Sequence, residues 1–557
     1  MEKILSLGID FGSNAVRALF LNVRDGKTIA SASCTYQRGN KGVFSENHHM
    51  ARQHPQDYLD SMTVAITEAI SKLKDQGYSA KDVQGIGVDA TGSTPIPVKS
   101  DLTPLANLEA FSNNLNAYAW MWKDHTSASE ADEITTKAQE LRPQYLTKCG
   151  GAYSSEWFWA KLLHCARTDK SVFDEADSWL EFSDFVPAVL AGIKEVSQVK
   201  RNKCAAGHKA FYHSSWNGFP DKEFLSALDK DLVKIADTMG QQAYSIDEQA
   251  GLLSEDWATR LGLSAGIPVA VGALDAHIGA LGSGVGEGTL VKIIGTSSCD
   301  IMVSPMDKNV PDIPGVAGIA EESVVPNNLG IEAGQSAVGD ILNWFVSELL
   351  CKDGSAHVEL TEKASALAVG QTGLLALDWN NGNRNVLTDP NLSGLLIGQS
   401  LFTKDFEIYR ALIEATAFGA RRIIEQMEQY GVEIEKVINC GGISQKNALF
   451  MQIYADVINK PMLIADNEEA VALGAAIFAA KGALESNGES YSLEALQEKA
   501  CTVKEKIFTP IAENVDTYNK LYELYKQLHD SFGVKDQKQD LYGIMKTLIE
   551  LKNSSKS

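Results

Sequence analysis

Three short strands in immediate succession open this chain, an unusual start for a large α/β protein. Residues 4–9 predict a buried strand, Asp10-Phe11-Gly12-Ser13-Asn14 a turn, and residues 16–23 a second strand. Asp25-Gly26 is a second tight turn, and residues 27–36 predict a third strand. The acidic, glycine-containing first turn is backbone that can approach phosphates closely and keep a carboxylate near a bound cation. The same device recurs at mid-chain: residues 289–294 predict a strand, Gly295-Thr296-Ser297-Ser298 a turn, and residues 300–303 the return. Two related domains facing one another are therefore expected, with nucleotide binding the first function to test.

A chain of 557 residues exceeds one core, so two or three domains are predicted. Apolar content of 44% and charged content of 22% are those of a soluble globular protein. A net charge of −22 argues against nucleic acid or an anionic membrane as partner. Met1-Glu2-Lys3 runs straight into a strand without a signal-peptide pattern, and the apolar segment 471–480 is too short to span a bilayer. Eight cysteines are scattered with no C-x-x-C pair, which predicts reduced thiols in the cytoplasm rather than disulfides or a cysteine zinc site. Asn391-Leu392-Ser393 is then a chance glycosylation match.

Strand and helix patterns alternate throughout, the mark of an α/β architecture. Residues 58–73 carry helical apolar spacing ending at Gly77, residues 83–88 predict a strand, and Asp89-Ala90-Thr91-Gly92-Ser93-Thr94 a polar loop. Residues 268–271 predict a buried strand closed by Gly272, after which Asp275 opens a short helical stretch. Gly282, Gly284, Gly286 and Gly288 predict a flexible connection, the main domain boundary and a hinge. Residues 437–440 predict a strand, followed by Gly441-Gly442 and a helix to Val457. The small-residue helix 469–480 can approach a ligand or another helix closely. Near the end, Tyr518, Leu521, Tyr522, Tyr525, Leu528 and Phe532 form a packing stripe capped by Gly533.

Common nucleotide motifs are missing. Gly26-Lys27-Thr28 ends like a P-loop, but Leu21 stands where its first glycine belongs, and no G-x-G-x-x-G follows a strand. Gly334-Gln335-Ser336-Ala337-Val338 lacks the last glycine of a nucleophile elbow. Three strand-end turns remain, at 10–14, 295–298 and 441–442, whose backbone N–H groups can bind phosphate without a lysine.

Several longer stretches then carry a resemblance: Asp10-Phe11-Gly12, Trp122-Lys123-Asp124-His125, Ser154-Ser155-Glu156-Trp157 leading to Lys161, and Cys204-Ala205-Ala206-Gly207-His208-Lys209. Asp275-Ala276-His277, Gly295-Thr296-Ser297-Ser298-Cys299 and Glu332-Ala333-Gly334-Gln335-Ser336-Ala337-Val338-Gly339-Asp340 continue it. Over nearly its whole length the chain resembles the FGGY carbohydrate kinases, narrowing to their ribulokinase branch. The resemblance implies the two-domain actin/hexokinase/Hsp70-like ATPase fold, with duplicated ribonuclease H-like domains. The implied division is 1–284 for the N-terminal domain with the sugar site and first phosphate turn. Residues 285–490 would form the nucleotide domain, and 491–557 a helical extension.

What the resemblance implies for residues follows from it. Asp275 is the expected general base, because a sugar hydroxyl must lose its proton as it attacks the γ-phosphate; the ordinary alternative is a helix N-cap. Asp10 is expected to hold Mg²⁺, against the alternative of a turn aspartate bonding its own backbone. Gly12, Ser13, Asn14, Gly295 and Thr296 are expected at the phosphates, and Gly441, Gly442 and Asn447 at the adenosine of ATP. Asn447 has the alternative of a helix-start residue. Lys209, Glu332 and Gly92, with Asp275, are expected to bind the sugar; the alternatives are a surface lysine and a structurally paired glutamate. The loop at 89–95 departs from the phenylalanine and cysteine found in many ribulokinases, which leaves the pentulose preference open. Trp122 and Asp124 are candidates to close the same pocket, with a core tryptophan the commoner alternative, and His277 reads as structural. The implied reaction is ATP-dependent phosphorylation of a ketopentose, L-ribulose to L-ribulose 5-phosphate in arabinose catabolism. The alternatives are a kinase for xylulose, D-ribulose or ribitol, and a silent ATP-binding protein. A homodimer is common among such relatives.

Overall fold

The computed structural model describes residues 3–39, 47, 49–537 and 539–555; Met1 and Glu2 lie outside them. The predicted meander is present as β1 (Leu5–Phe11), β2 (Ala15–Asn22) and β3 (Thr28–Thr35). β4 (Val83–Ala90), β5 (Gln249–Leu252), β6 (Pro268–Ala270) and β7 (Ala273–Leu274) complete the first sheet. Its order is β3-β2-β1-β4-β6-β5, with β7 also pairing β4. The second sheet holds β8 (Thr289–Ile294), β9 (Ser298–Pro305), β10 (Gly318–Glu321), β11 (Asn328–Ala333), β12 (Lys436–Cys440) and β13 (Met462–Ile464). Its order is β10-β11-β9-β8-β12-β13. In each sheet the opening strand has an antiparallel hairpin partner on one side and a parallel strand on the other. The two halves thus repeat one topology.

All seven residues of β1 are buried, because the strand is paired on both edges and covered on both faces. α1 (Pro55–Leu73) supplies one cover; it starts three residues before the predicted helix, with Pro55 in its first turn and His54 as N-cap. Also used below are α2 (Lys203–Lys209), α3 (Asp275–Gly282), α4 (Ala448–Ile458), α5 (Ala470–Glu485) and α6 (Ala512–Gly533). The other cover comes from far along the chain. α5 packs on β1 and β4 of the first sheet and against α3. Glycines make that approach possible. A Cβ on Gly8, Gly85 or Gly87 would stand 2.0–2.1 Å from the carbonyl oxygens of Ala472, Ala479 and Ala475 respectively.

Several local expectations change. Asp10 and Phe11 belong to β1, so the first turn is only Gly12–Asn14. Asp89 and Ala90 belong to β4, and Thr91, Ser93 and Thr94 are buried rather than forming an open loop. Glu181 accepts from Thr94 N–H (2.8 Å) and from the Ser93 hydroxyl, while buried Lys161 donates to Ser93 O (2.7 Å) and Met121 O (2.8 Å). Gly282 is not part of a loose connection: it ends α3, where a Cβ would lie 1.8 Å from Ala470 O. Gly533 is the last residue of α6, and a Cβ there would meet Leu387 at 2.2 Å, so close packing explains it. The α6 tyrosines Tyr518, Tyr522 and Tyr525 are buried in the main core of the second lobe.

Candidate active site

Three acidic side chains converge at the carboxyl ends of parallel strands in the first sheet. Asp10 of β1 stands opposite Asp89 of β4, and Ala273 of β7 stands opposite Asp89 on the other edge. Asp275, two residues on, therefore reaches the same end. Asp10 Oδ2 accepts from Arg17 Nη1 at 2.8 Å, so it is an ion-paired strand residue rather than a turn aspartate. The fully buried Asp89 accepts from no N–H or hydroxyl group among the described residues, and its side chain hydrogen-bonds Asp10. Burial raises the pKa of Asp10 despite the Arg17 guanidinium, and burial with Asp10 and Asp275 nearby pushes Asp89 well up. Burial, then the charge of Asp10, pushes Asp275 up to about 7. Asp275 is the first residue of α3, not its N-cap, and accepts Ala276 N–H at 2.7 Å.

Lys209 and Glu332 come from different lobes and meet. Lys209 ends α2, whose start is fixed by the Asn202 side chain accepting Ala205 N–H at 2.6 Å. Glu332 lies on β11, paired to β9 and β10. Lys209 Nζ lies 3.0 and 2.9 Å from the two Glu332 oxygens and 5.4 Å from the Trp157 ring centroid. Lys209 is thus buried, not a surface lysine. Burial alone would raise the Glu332 pKa, but Lys209, His277 and His208 hold it far below the usual carboxylate range. Both charges act on Asp275, which ties the pair to the acidic cluster. Gly92 borders it too: a Cβ there would stand 2.0 Å from Leu274 Cδ2, beside Asp275.

The glycine turns are braced from behind. Ser13 Oγ accepts from Trp122 Nε1 at 2.9 Å, Gln53 Nε2 donates to Ser13 O at 2.7 Å, and Tyr36 hydroxyl donates to Gly12 O at 3.0 Å. Asn14 is exposed beside them. Gly295 and Thr296 are exposed, and their carbonyls accept N–H groups of Gly339 (3.1 Å), Val338 (2.8 Å) and Asp340 (3.1 Å). β8 and β12 are parallel neighbours, so the turns at Gly295 and Gly441 leave the same sheet end side by side. Gly441 has φ +98°, and a Cβ on it would sit 2.1 Å from Ile294 O, so only glycine fits. Gly295 and Gly442 face open space. Asn447 is the N-cap of α4, accepting Phe450 N–H at 3.0 Å, and donates to Thr361 Oγ1 at 3.3 Å.

The expected residues thus fall into two groups. Asp10, Gly92, Lys209, Asp275 and Glu332 lie together, with Gly12, Ser13 and Asn14 at the adjoining turn; Gly295, Thr296, Gly441 and Gly442 form the other. Trp122 joins the first turn, whereas Asp124 is a buried partner of Arg52 and accepts Ala51 N–H at 2.7 Å. Sequence reasoning missed Asp89, whose signal was its position directly after the predicted strand 83–88. His208, noted only within a longer stretch, and His277, read as structural, adjoin the pair: Nδ1 of the first and Nε2 of the second each lie 3.5 Å from Glu332 Oε2.

Comparison with known proteins gives matches over nearly the whole chain. Residues 5–282 match the N-terminal domain, and residues 290–483 the C-terminal domain, of the FGGY family of carbohydrate kinases. A ribulokinase from Halalkalibacterium halodurans is 38% identical over 570 residues, covering 99% of this chain and 98% of that one. One from Vibrio parahaemolyticus is 41% identical over 499 residues, 86% and 88% of the two chains. Among solved structures, a xylulose kinase from Rhodospirillum rubrum superposes with TM-score 0.77 at 21% identity, covering 95% of this chain and 98% of its own. A Plasmodium falciparum glycerol kinase with ADP gives 0.73 at 16%, covering 94% and 98%. These two share the fold.

Proposed function

The chain belongs to the FGGY family of carbohydrate kinases, which makes it an ATP-dependent sugar kinase, and we propose that its acceptor is a 2-ketopentose. L-Ribulose, phosphorylated at O5, is the first choice, because the relatives similar over nearly the full chain carry the name ribulokinase. The product would then be L-ribulose 5-phosphate, a step in the use of arabinose carbon. The observation that carries the chemistry is the meeting of a proton-avid Asp275 with the Lys209–Glu332 pair across the two lobes.

Asp275 would take the proton of the attacking hydroxyl as its oxygen bonds to phosphorus and the bond to the departing nucleotide breaks. The electron pair of that broken bond leaves with ADP, and the proton passes from Asp275 to solvent. Lys209 and Glu332 would orient sugar hydroxyls by charge-assisted hydrogen bonds, with Gly92 leaving room beside Leu274. Gly12, Ser13, Asn14, Gly295 and Thr296 would meet the phosphates, and Gly441, Gly442 and Asn447 the adenosine side. The open space at Gly295 and Gly442 fits a nucleotide at these turns. The oxygen-only pair of Asp10 and Asp89, opposite one another at the strand ends, fits a hard cation such as Mg²⁺. MgATP, when bound, supplies the phosphoryl group and neutralises charge. We place the enzyme in the cytoplasm, in keeping with eight free cysteines and no helix among the described residues long and apolar enough to cross a membrane.

A coupled ADP-release assay across the four 2-ketopentoses, with xylitol, ribitol and glycerol as comparators, tests the reading. L-Ribulose is expected to give the highest kcat/KM. Negligible turnover with every ketopentose overturns it.

A further inference from the structure

Beside the Lys209–Glu332 pair, two buried imidazoles present nitrogens that no group among the described residues satisfies. His208 on α2 is 2% exposed and His277 on α3 is 1% exposed, with ring centroids 4.4 Å apart. The Ser323 hydroxyl donates to Ala320 O at 3.2 Å, so its oxygen accepts from His208 Nε2 at 2.9 Å. His208 is therefore protonated on Nε2 and turns the Nδ1 lone pair toward Glu332 Oε2, 3.5 Å away. His277 Nε2 lies 3.5 Å from the same oxygen, and neither of its nitrogens has a hydrogen-bond partner among the described residues. A buried lone pair set against a carboxylate is unfavourable unless a cation stands between them.

We propose that His208 Nδ1, His277 Nε2 and Glu332 form a three-ligand site for a divalent transition cation of the zinc class, distinct from the Mg²⁺ of the nucleotide. The three ligand atoms lie within 4.8 Å of one another. Ligands held about 2.0–2.1 Å from a tetrahedral zinc are about 3.4 Å apart, close to the two 3.5 Å separations here. Two imidazoles and one glutamate leave a fourth position open, and imidazole ligands select against the oxygen-seeking Mg²⁺. Ser323 acts as the outer partner that fixes the His208 tautomer. Glu332, with its side chain 14% exposed, is the side from which an ion enters. Lys209 opposes occupancy, because its ammonium already holds both Glu332 oxygens. The ion and Lys209 compete for one carboxylate, so metal binding would displace the sugar-binding arrangement and inhibit the kinase. That inhibitory consequence rests on the sugar-site reading above; the metal site itself does not.

Titration of the metal-free, full-length protein with Co²⁺ alone, followed by optical absorption, tests the site. One equivalent is expected to bind with the intense visible bands of tetrahedral cobalt, and Zn²⁺ to abolish them. H277A and H208A are each expected to weaken binding by at least ~10-fold, and K209M to tighten it by removing the competing cation. Absence of tetrahedral bands in the wild type overturns the proposal, as does undiminished binding by an H277A protein with wild-type circular dichroism. If the histidine variants do not fold, K209M decides: unchanged or weaker Co²⁺ binding overturns the site. L-Ribulose is expected to weaken Co²⁺ binding; histidine-dependent bands indifferent to sugar would keep the metal site and remove Glu332 from the sugar set.

Discussion

At the scale of the residue, Asp275 decides most. Its pKa near 7 arises from burial and the neighbouring Asp10, and a base must be ionised to accept a proton. kcat/KM is therefore expected to fall as pH drops below about 7, with one titrating group on the acid limb of the profile; a flat profile between pH 5 and 8 would remove Asp275 as the base. D275N is expected to lower turnover by at least ~10²-fold, with ATP affinity by calorimetry retained. Near-normal turnover would defeat the assignment. The same shift has a stability sign. The folded pKa lies above the unfolded one, so the protonated carboxyl contributes stability below the unfolded value, and that contribution is lost as pH rises through about 7. Ligand-free D275N should accordingly melt higher than the wild type at pH 8, and the difference should shrink as pH falls toward the unfolded carboxylate value of 3.8. The carboxylate of Asp275 after a short buried strand was legible as either an N-cap or a site residue, and the family resemblance chose the second. Asp89 was not: polar neighbours made it look like loop, and only Glu181 and Lys161, far along the chain, bury that segment. Lys209 and Glu332, 123 positions apart, were reachable only through resemblance to a family.

Elements show the same division between local and distant causes. The strand–turn–strand units at both openings are local patterns, and both sheets contain them. The composition of α5 announced a close approach but not its target, because the glycines that receive it are on β1 and β4. Those contacts meet backbone, which cannot step aside as a side chain end can. G8A and G87A should each destabilise the protein by about 1–3 kcal/mol, read as a lower melting temperature. G286A should leave melting unchanged, since a Cβ there meets nothing within 4 Å. Equal effects at all three positions would refute this account of the glycines. Gly282, in the same sequence row as Gly286, belongs with the packed class, which spacing alone did not separate.

For the whole molecule, two lobes of one topology meet along α3 and α5 and again at the Lys209–Glu332 pair. Sugar and nucleotide held by different lobes are expected to draw them together about the connection after α3, residues 283–288. Small-angle scattering should show a smaller radius of gyration with L-ribulose and a non-hydrolysable ATP analogue together than with neither. An unchanged radius would argue against closure. The repeat of topology was readable from the two matched openings, whereas the way the first lobe takes its cover, α5, from the far end of the chain was not. No local pattern records which sheet a distant helix will cover.

The position of α5 sets a schedule for biosynthesis. When the ribosome has released β1 and β4, the face that α5 will cover is bare, and it stays bare until residues 470–485 emerge. Folding from the N-terminus must then pause with an exposed glycine-lined sheet, and the first lobe matures only when the chain is almost complete. A fragment ending at residue 284 is expected to be recovered insoluble, and to become soluble when a second polypeptide carrying residues 285–557 is made in the same cell. A soluble, cooperatively melting 1–284 fragment on its own would contradict that order of assembly.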